Sequence, residues 1–303
     1  MKSIFYLLIF PGFLFSASVG LLAGWLDRKF TARLQWRVGP PWYQNFIDVL
    51  KLFGKETIVP QGSRLVFLLS PYLGLASAVL VATSLGRSII SPVDSFTGDL
   101  IVFLYLLMIP AVATIIGASS SRNPLASVGA SREMKLILAY ELPLIILVIV
   151  VVLKCKGALQ VGQIIQYQMS FGSIAFTFSG ALAFLVAIFC IQAKLGIGLF
   201  DIAEADQEIM GGTLIEYSGL PLALFKLTKA IMLYILPLFV IVLFLSRDLS
   251  PIFLIAKYLM LLLAIILIKN TNPRLRIDQA LKFFWRVPTI LAGAALLLAL
   301  FGL

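Results

Sequence analysis

The chain has 303 residues, of which 61% are hydrophobic and 13% are charged, and its mean hydropathy is +1.04. So few charged residues cannot cover a soluble protein of this size, which excludes a soluble globular fold and predicts an all-α polytopic membrane protein. The 24 Lys and Arg residues outnumber the 14 Asp and Glu residues, and loop bias together with anionic lipid explains this excess better than nucleic-acid binding does.

Apolar runs long enough to cross a bilayer as helices occur eight times along the chain. They cover residues 3–26, 65–86, 99–118, 134–153, 174–195, 221–245, 251–269 and 288–303. The first run is longer than a signal-peptide core and Asp27-Arg28-Lys29 follows it, so we expect a retained first helix. The whole chain, residues 1–303, is expected to form one integral membrane domain.

The connection after the first run is long and basic, and Gly39-Pro40-Pro41 interrupts it. Residues 42–55 then show a helical pattern whose polar positions share one narrow face. These positions are Gln44, Asp48, Lys51 and Lys55. The segment is too short to span the bilayer, so it predicts an interfacial amphipathic helix in the first loop. That helix is either a surface anchor or part of the wall of a binding chamber.

The charges of the connections predict the orientation of the chain. The odd-numbered connections carry fifteen Lys and Arg residues, whereas the N-terminus and the even-numbered connections carry five. By the positive-inside rule, the odd connections face the cytoplasm and both termini lie outside.

The third of these cytoplasmic connections differs from the others because it has no basic residue. It contains five acidic residues, namely Asp201, Glu204, Asp206, Glu208 and Glu216. If residues 201–208 form a helix, three of these carboxylates share a face, and their repulsion raises at least one pKa toward neutrality. The segment therefore predicts either a proton-transfer site or a surface that binds a basic soluble partner.

Glu141 lies inside the fourth apolar run, two residues before Pro143. A carboxylate at such a depth costs about 2.5–3.5 kcal/mol on insertion scales, which favours a role in ion transfer over a structural ion pair. Lys226 and Lys229 enter the sixth run just after the acidic segment. We expect Lys226 to pair with Glu216 or to contact a water chain, and we expect Lys229 to reach the interface. Lys257 has no predicted partner.

The sequence lacks the residues for several kinds of site. It has no histidine, and Cys155 and Cys190 have no metal-ligand spacing, which excludes His-ligated metal and haem sites and histidine proton relays. No phosphate-binding loop, dinucleotide fingerprint, nucleophile elbow or cysteine cluster is present. We therefore expect redox chemistry or hydrolysis to occur in another chain.

Four segments of the sequence resemble a known family. The acidic segment, residues 200–208 and 216–219, is similar to the signature loop of the heel subunit of respiratory complex I. The same subunit occurs in energy-converting membrane-bound [NiFe] hydrogenases and related ferredoxin-dependent complexes. Residues 39–56, 130–141 and 273–279 also agree, and residues 123–133 are most similar to the hydrogenase branch. Residues 197–199 depart from the family pattern, which has a basic residue and a proline there, and this weakens a quinone-contacting role at that position.

The resemblance implies a cytoplasmic chamber and an acidic path from that chamber into the membrane. Ion-path or coupling roles are assigned to Glu141, Asp201, Glu204, Asp206, Glu208 and Glu216, to which Lys226 is added because it lies beside the acidic segment. Chamber or subunit-interface roles are expected for Arg37, Lys51, Lys55, Arg132, Arg274, Arg276 and Asp278.

The resemblance also implies partners. They are peripheral redox subunits on the cytoplasmic face and other membrane subunits, including antiporter-like ones, in a prokaryotic plasma membrane. No cofactor or metal is expected on this chain, because iron–sulfur clusters and any [NiFe] centre belong to partner subunits. The leading hypothesis is a subunit that couples electron transfer to proton or sodium-ion translocation. The alternatives are a quinone-chamber subunit, a stand-alone secondary transporter and a passive anchor for soluble subunits.

Overall fold

The computed structural model describes residues 2–60 and 64–302, and these residues form thirteen α-helices and no β-strand. The helices are α1 (Lys2–Leu8), α2 (Phe13–Leu34), α3 (Gln44–Phe53), α4 (Arg64–Ile90), α5 (Asp99–Ser120), α6 (Pro124–Lys154), α7 (Val161–Phe171), α8 (Phe178–Leu195), α9 (Asp206–Ile209), α10 (Gly219–Phe244), α11 (Pro251–Thr271), α12 (Ile277–Arg286) and α13 (Pro288–Leu300).

Eight helical segments of the described chain are long and apolar enough to cross a membrane, which confirms the predicted all-α polytopic fold. They are α1 with α2, α4, α5, α6, α8, α10, α11, and α12 with α13. Two spans begin well before their predicted starts: the fourth, because α6 begins ten residues earlier than residue 134, and the eighth, which begins at Ile277 and not at residue 288. Asn123 caps α6 by accepting a hydrogen bond from the Leu125 amide at 2.9 Å, and Pro124 occupies the first helical position.

The helix α10 forms the centre of the bundle. Of its span, 83% is buried, against 22% for α11. It packs against α2, α3, α4, α8 and α11. Close approach to α2 depends on Gly20, since a Cβ atom at that position would lie 3.0 Å from the Ile231 nitrogen. The residues that α10 presents to its neighbours therefore lie inside the protein and not in lipid.

The predicted amphipathic segment at residues 42–55 is confirmed as the helix α3. Its buried side is attached to α2, because the Asn45 side-chain amide donates a hydrogen bond to the Leu21 carbonyl at 2.8 Å. On its polar side, Asp48 forms an ion pair with Arg28 of α2 at 3.1 Å. Burial raises the pKa of Asp48, but hydrogen bonds from Gln44 and Arg28 outweigh burial and hold it below its usual value.

At the opposite end of the bundle, side chains satisfy the last carbonyls of α10. The buried Gln168 amide donates to the carbonyls of Val242 and Leu243 at 3.1 and 2.9 Å. The Lys257 ammonium donates to the carbonyls of Leu245 and Asp248, the former at 2.7 Å. Lys257 thus stabilises a helix end, which is a structural role that the sequence did not indicate.

Candidate functional site

The acidic segment is not a continuous helix. Residues 201–205 are irregular and only the short α9 follows, so the predicted common face of Asp201, Glu204 and Glu208 is wrong. Ile202, Ala203 and Ala205 are buried and hold the segment against the bundle.

A close contact at Gly129 of α6 positions the acidic segment. A Cβ atom at Gly129 would lie 2.8 Å from the Thr213 nitrogen and 2.9 Å from the Ala203 carbonyl oxygen. Only glycine permits this approach of the loop to α6. Glu133 lies one helical turn after Gly129, on the same face, and is thereby placed beside the acidic segment.

Charged side chains from four chain segments line one cavity of about 70 Å³. Its charged lining consists of Glu133, Lys194, Asp201, Glu204 and Lys229, and Thr114, Thr213 and Thr228 add hydroxyl groups. This volume exceeds the roughly 10–15 Å³ that a single water molecule needs, so the cavity is large enough for water. The buried Thr213 hydroxyl has no partner among the described residues, as is usual for a group that binds an internal water.

Lys229 of α10 forms an ion pair with Glu204 at one side of this cavity. Both side chains are partly exposed, at 47% and 26%. Asp201 and Glu133 contribute negative charge around the same ammonium. The expectation that Lys229 reaches the interface stays a prediction, and the structure adds that its ammonium neutralises part of the acidic cluster.

A second glutamate–lysine pair lies deeper, between α6 and α8. The Lys194 ammonium is 3.3 Å from a carboxylate oxygen of Glu141, and the side chains are 1% and 18% exposed, respectively. The ammonium also lies 5.4 Å from the centre of the Tyr140 ring, at cation–π distance. Glu141 stands near the middle of α6, about 25 Å along the axis from its first residue. This is the deepest ion pair of the described chain.

Lys194 and Glu133 are the two site residues that sequence reasoning missed. Lys194 is the single charged residue of α8, near the end of an otherwise apolar helix. An isolated lysine in a buried helix was the signal that could have identified it, since an unpaired charge there would be costly. Glu133 lies one residue before the predicted start of the fourth span, so the prediction left it in a connection. The structure places it inside α6, which begins at Pro124.

Glu216 does not belong to this cavity. Its carboxylate accepts a hydrogen bond from the Asn123 side-chain amide at 2.6 Å, so it supports the cap of α6. The predicted pairing of Glu216 with Lys226 is wrong, because no ion pair of the described residues joins them. Lys226 instead faces a second cavity of about 370 Å³ between α2, α3 and α10. That cavity is charged, with Asp27, Arg28, Asp48, Glu204 and Lys229 also in its wall.

The residues after Glu216 attach the first loop to the bundle. The Tyr217 ring stacks on Phe67 at 4.0 Å, and its hydroxyl is 2.9 Å from the Ser70 hydroxyl. Burial raises the pKa of Tyr217 to about 12, so the hydroxyl stays protonated. Ser218 accepts a hydrogen bond from the Ile58 amide at 3.0 Å and donates one to the Glu56 carbonyl at 3.2 Å.

Glu208 is exposed and forms an ion pair with Arg132 at 2.6 Å. This hydrogen bond, followed by the charges of Arg132, Arg274 and Arg276, holds the pKa of Glu208 below its usual value. Glu208 is thus outside the cavity, at the basic surface. The side chain of Asp206 lies outside the described residues.

The predicted interface residues are mostly at the surface. Arg37, Lys51, Lys55, Arg276 and Asp278 are exposed, whereas Arg132 and Arg274 are partly buried. An interface role for them stays a prediction. Among the described residues, no group of three acidic or cysteine side chains could hold a metal ion.

Comparisons with known proteins agree along the whole chain. The model of the family described as NADH dehydrogenase matches residues 6–300. The NADH-quinone oxidoreductase of Dehalococcoides mccartyi has a subunit, designated H, that is 32% identical over 316 residues, covering 98% of this chain and 85% of that protein. Hydrogenase-4 component C of Escherichia coli is 31% identical over 247 residues, covering 80% of this chain and 78% of that protein.

A solved structure is similar over the same length. It is a chain of the membrane-bound sulfane sulfur reductase, an archaeal respiratory membrane complex. The TM-score is 0.89 at 31% identity, and the match covers 99% of this chain and 100% of that chain.

Proposed function

Since this chain belongs to the NADH dehydrogenase family of membrane subunits, we propose that it couples electron transfer in partner redox subunits to proton or sodium-ion translocation. The chain is a multi-pass membrane protein of an oxidoreductase complex, and its relatives are subunits of complex I-like and hydrogenase complexes. The proposed path begins at Asp201 and Glu204, passes Glu133 and ends at Glu141.

One observation carries this proposal: the Glu204–Lys229 pair and Lys194, the partner of Glu141, line the same polar cavity. Glu204 with Lys229 lies on the side of the acidic segment, and Glu141 with Lys194 lies near the middle of α6. Carboxylates that share a partly dehydrated site have separated pKa values, so one of them can accept a proton that another releases. The lysines lower the cost of holding these carboxylates inside the protein.

The inner end of the path is close to the outer surface of the helix bundle. The Glu141 side chain is 18% exposed, and its neighbours on α6, Leu138 and Leu142, are apolar and more than half exposed. Relatives of this chain work in multi-subunit complexes, so we infer that another membrane subunit covers this face. The ion would then continue sideways from Glu141 into that subunit.

The proposed orientation puts the acidic segment and its basic surroundings in the cytoplasm and both termini outside. The basic residues concentrate in the same connections that carry Arg132, Arg274 and Arg276. Peripheral redox subunits would bind on this side, within reach of the beginning of the path.

Membrane vesicles that contain the assembled complex test the proposal. Glu141→Gln and Glu204→Gln keep the shape of the side chain but remove its charge, so electron transfer should continue while gradient formation is lost. Glu56→Gln is the matched control, because Glu56 is an exposed carboxylate on the same side that lines neither cavity. Wild-type gradient formation in both path variants would contradict the proposal and leave the passive anchor as the better account.

The larger cavity favours one alternative, a subunit that contributes to a quinone chamber. Its volume of about 370 Å³ lies in the range of small-molecule sites. Its wall, however, carries three carboxylates and three basic residues, whereas ligand pockets are mostly apolar. Quinone that copurifies with the complex, together with quinone-dependent activity, would favour this alternative.

A further inference from the structure

The helix α12 has one buried face and one exposed face. Ala280 and Phe284 are fully buried. The Phe284 ring lies 5.0 Å from the Phe200 ring, and the Phe283 ring lies 5.5 Å from the Phe189 ring of α8. These contacts fix α12 against the bundle, so its other face has a defined orientation.

The exposed face combines two cations with a tryptophan. Lys282, Trp285 and Arg286 are spaced three and four residues apart and therefore share one side of the helix. Trp285 is 64% exposed, and both basic residues are exposed. No ion pair of the described residues involves Lys282 or Arg286. Two free cations thus flank an exposed indole ring.

The length of the next helix places this face at the edge of the bilayer. The helix is interrupted at Val287, and α13 has 13 residues. At 1.5 Å per residue, α13 is about 20 Å long, whereas the hydrocarbon core of a bilayer is about 30 Å thick. Because α13 is about 10 Å too short to cross this core, the C-terminal turns of α12 complete the span, and the long side chains of Lys282 and Arg286 can extend to the lipid phosphates at its boundary.

We propose that Lys282, Trp285 and Arg286 form a binding site for the headgroup of an anionic phospholipid. The Arg286 guanidinium donates two hydrogen bonds to the phosphodiester, and the Lys282 ammonium supplies the second positive charge. The Trp285 ring lies at the acyl boundary, where tryptophan is enriched in membrane proteins. An acidic protein segment would also complement the two cations. It would not explain why an exposed tryptophan stands directly before the apolar helix α13. This site is separate from the ion path.

Retention of lipid by the purified, detergent-solubilised complex tests this site. Native mass spectrometry compares retained phosphatidylglycerol with retained phosphatidylcholine. Lys282→Gln with Arg286→Gln should reduce the preference for phosphatidylglycerol by about 25-fold, from roughly fivefold per cation. Lys282→Arg, which keeps both charges and leaves the Arg286 guanidinium in place, should keep the preference. The matched control is Lys156→Gln with Arg247→Gln, which removes two exposed basic residues from connections on the opposite side.

Three results would overturn the proposal. The first is a wild-type complex that shows no preference for phosphatidylglycerol, which needs no variant. The second is an unchanged preference in the Gln variant. The third is loss of a peripheral subunit from the Gln variant while phosphatidylglycerol stays bound, which would identify the face as a protein interface. If the Gln variant fails to assemble, a second measurement replaces it. Brominated phosphatidylglycerol should quench part of the tryptophan fluorescence of the wild-type complex, and Trp285→Phe should lose part of this quenching. Equal quenching in the two complexes would contradict the proposal.

Discussion

The two halves of the acidic segment, residues 201–208 and 209–219, both carry glutamate but differ in structure. In the first half, Glu204 contacts a lysine and, together with Asp201, lines a polar cavity. In the second half, Glu216 contacts the side chain that caps a helix, and Tyr217 stacks on Phe67. The first half contains the start of the proposed ion path, whereas the second half attaches the segment to its neighbours. The partner of an acidic residue, and not its presence in the segment, indicates its role.

The largest effect is expected at the deepest pair. Lys194→Met leaves the Glu141 carboxylate buried without its cation, which should lower the stability of the complex by about 3 kcal/mol and abolish gradient formation. Thermal melting of the purified complex and gradient formation in vesicles measure the two effects. The control is Lys194→Met with Glu141→Gln, which should recover most of the melting temperature but no gradient. Normal gradient formation in the single variant would remove this pair from the path.

A variant in the second half should affect stability alone. Tyr217→Ala removes a buried ring that stacks on Phe67, so we expect a loss of about 3 kcal/mol and less assembled complex. The number of ions moved per electron should be unchanged in the complex that does assemble. Tyr217→Phe keeps the ring and should cost about 1 kcal/mol, for the lost hydroxyl contacts. A lower ion yield in Tyr217→Phe would show that the two halves are not separate.

The most direct test of the comparison exchanges one glutamate for glutamine in each half. Glu204→Gln should lose most gradient formation while the melting temperature changes little, because its ion pair is partly exposed. Glu216→Gln should keep gradient formation, since the amide oxygen of glutamine still accepts the hydrogen bond from Asn123. Equal ion yields in the two variants would contradict the division into halves.

The smallest effect is a pH dependence at the surface. The pKa of Glu208 lies below its ordinary value of 4.5, so its ion pair with Arg132 is fully formed above that pH and is lost as the pH falls through the lowered pKa. Hydrogen exchange of residues 206–212, corrected for the intrinsic rate, should therefore rise below pH 4.5. Glu208→Gln should remove this dependence. A rise of the same size in that variant would assign the effect to another carboxyl group.

The properties of neighbouring residues were sufficient to predict the fold and part of the site. Eight spans, the amphipathic helix α3 and the position of Glu141 inside a span follow from hydropathy and periodicity, which depend only on nearby residues. The start of α6 was predicted ten residues late, because the segment after Asn123 is polar on one side and resembles a loop. The capping side chain of Asn123 was the sequence feature that could have indicated the earlier start of α6.

The sequence by itself determined that this is an α-helical membrane protein with an acidic segment between two spans and a carboxylate inside the fourth. Only the tertiary structure decided which charges meet. Lys194 and Glu141 are 53 residues apart, and Asn123 and Glu216 are 93 residues apart. Such pairs depend on which helix faces pack together, and helix packing is set by close contacts such as those at Gly20 and Gly129. Hydropathy indicates whether a residue lies inside a membrane span, whereas the side chain that it contacts depends on residues far away in the sequence.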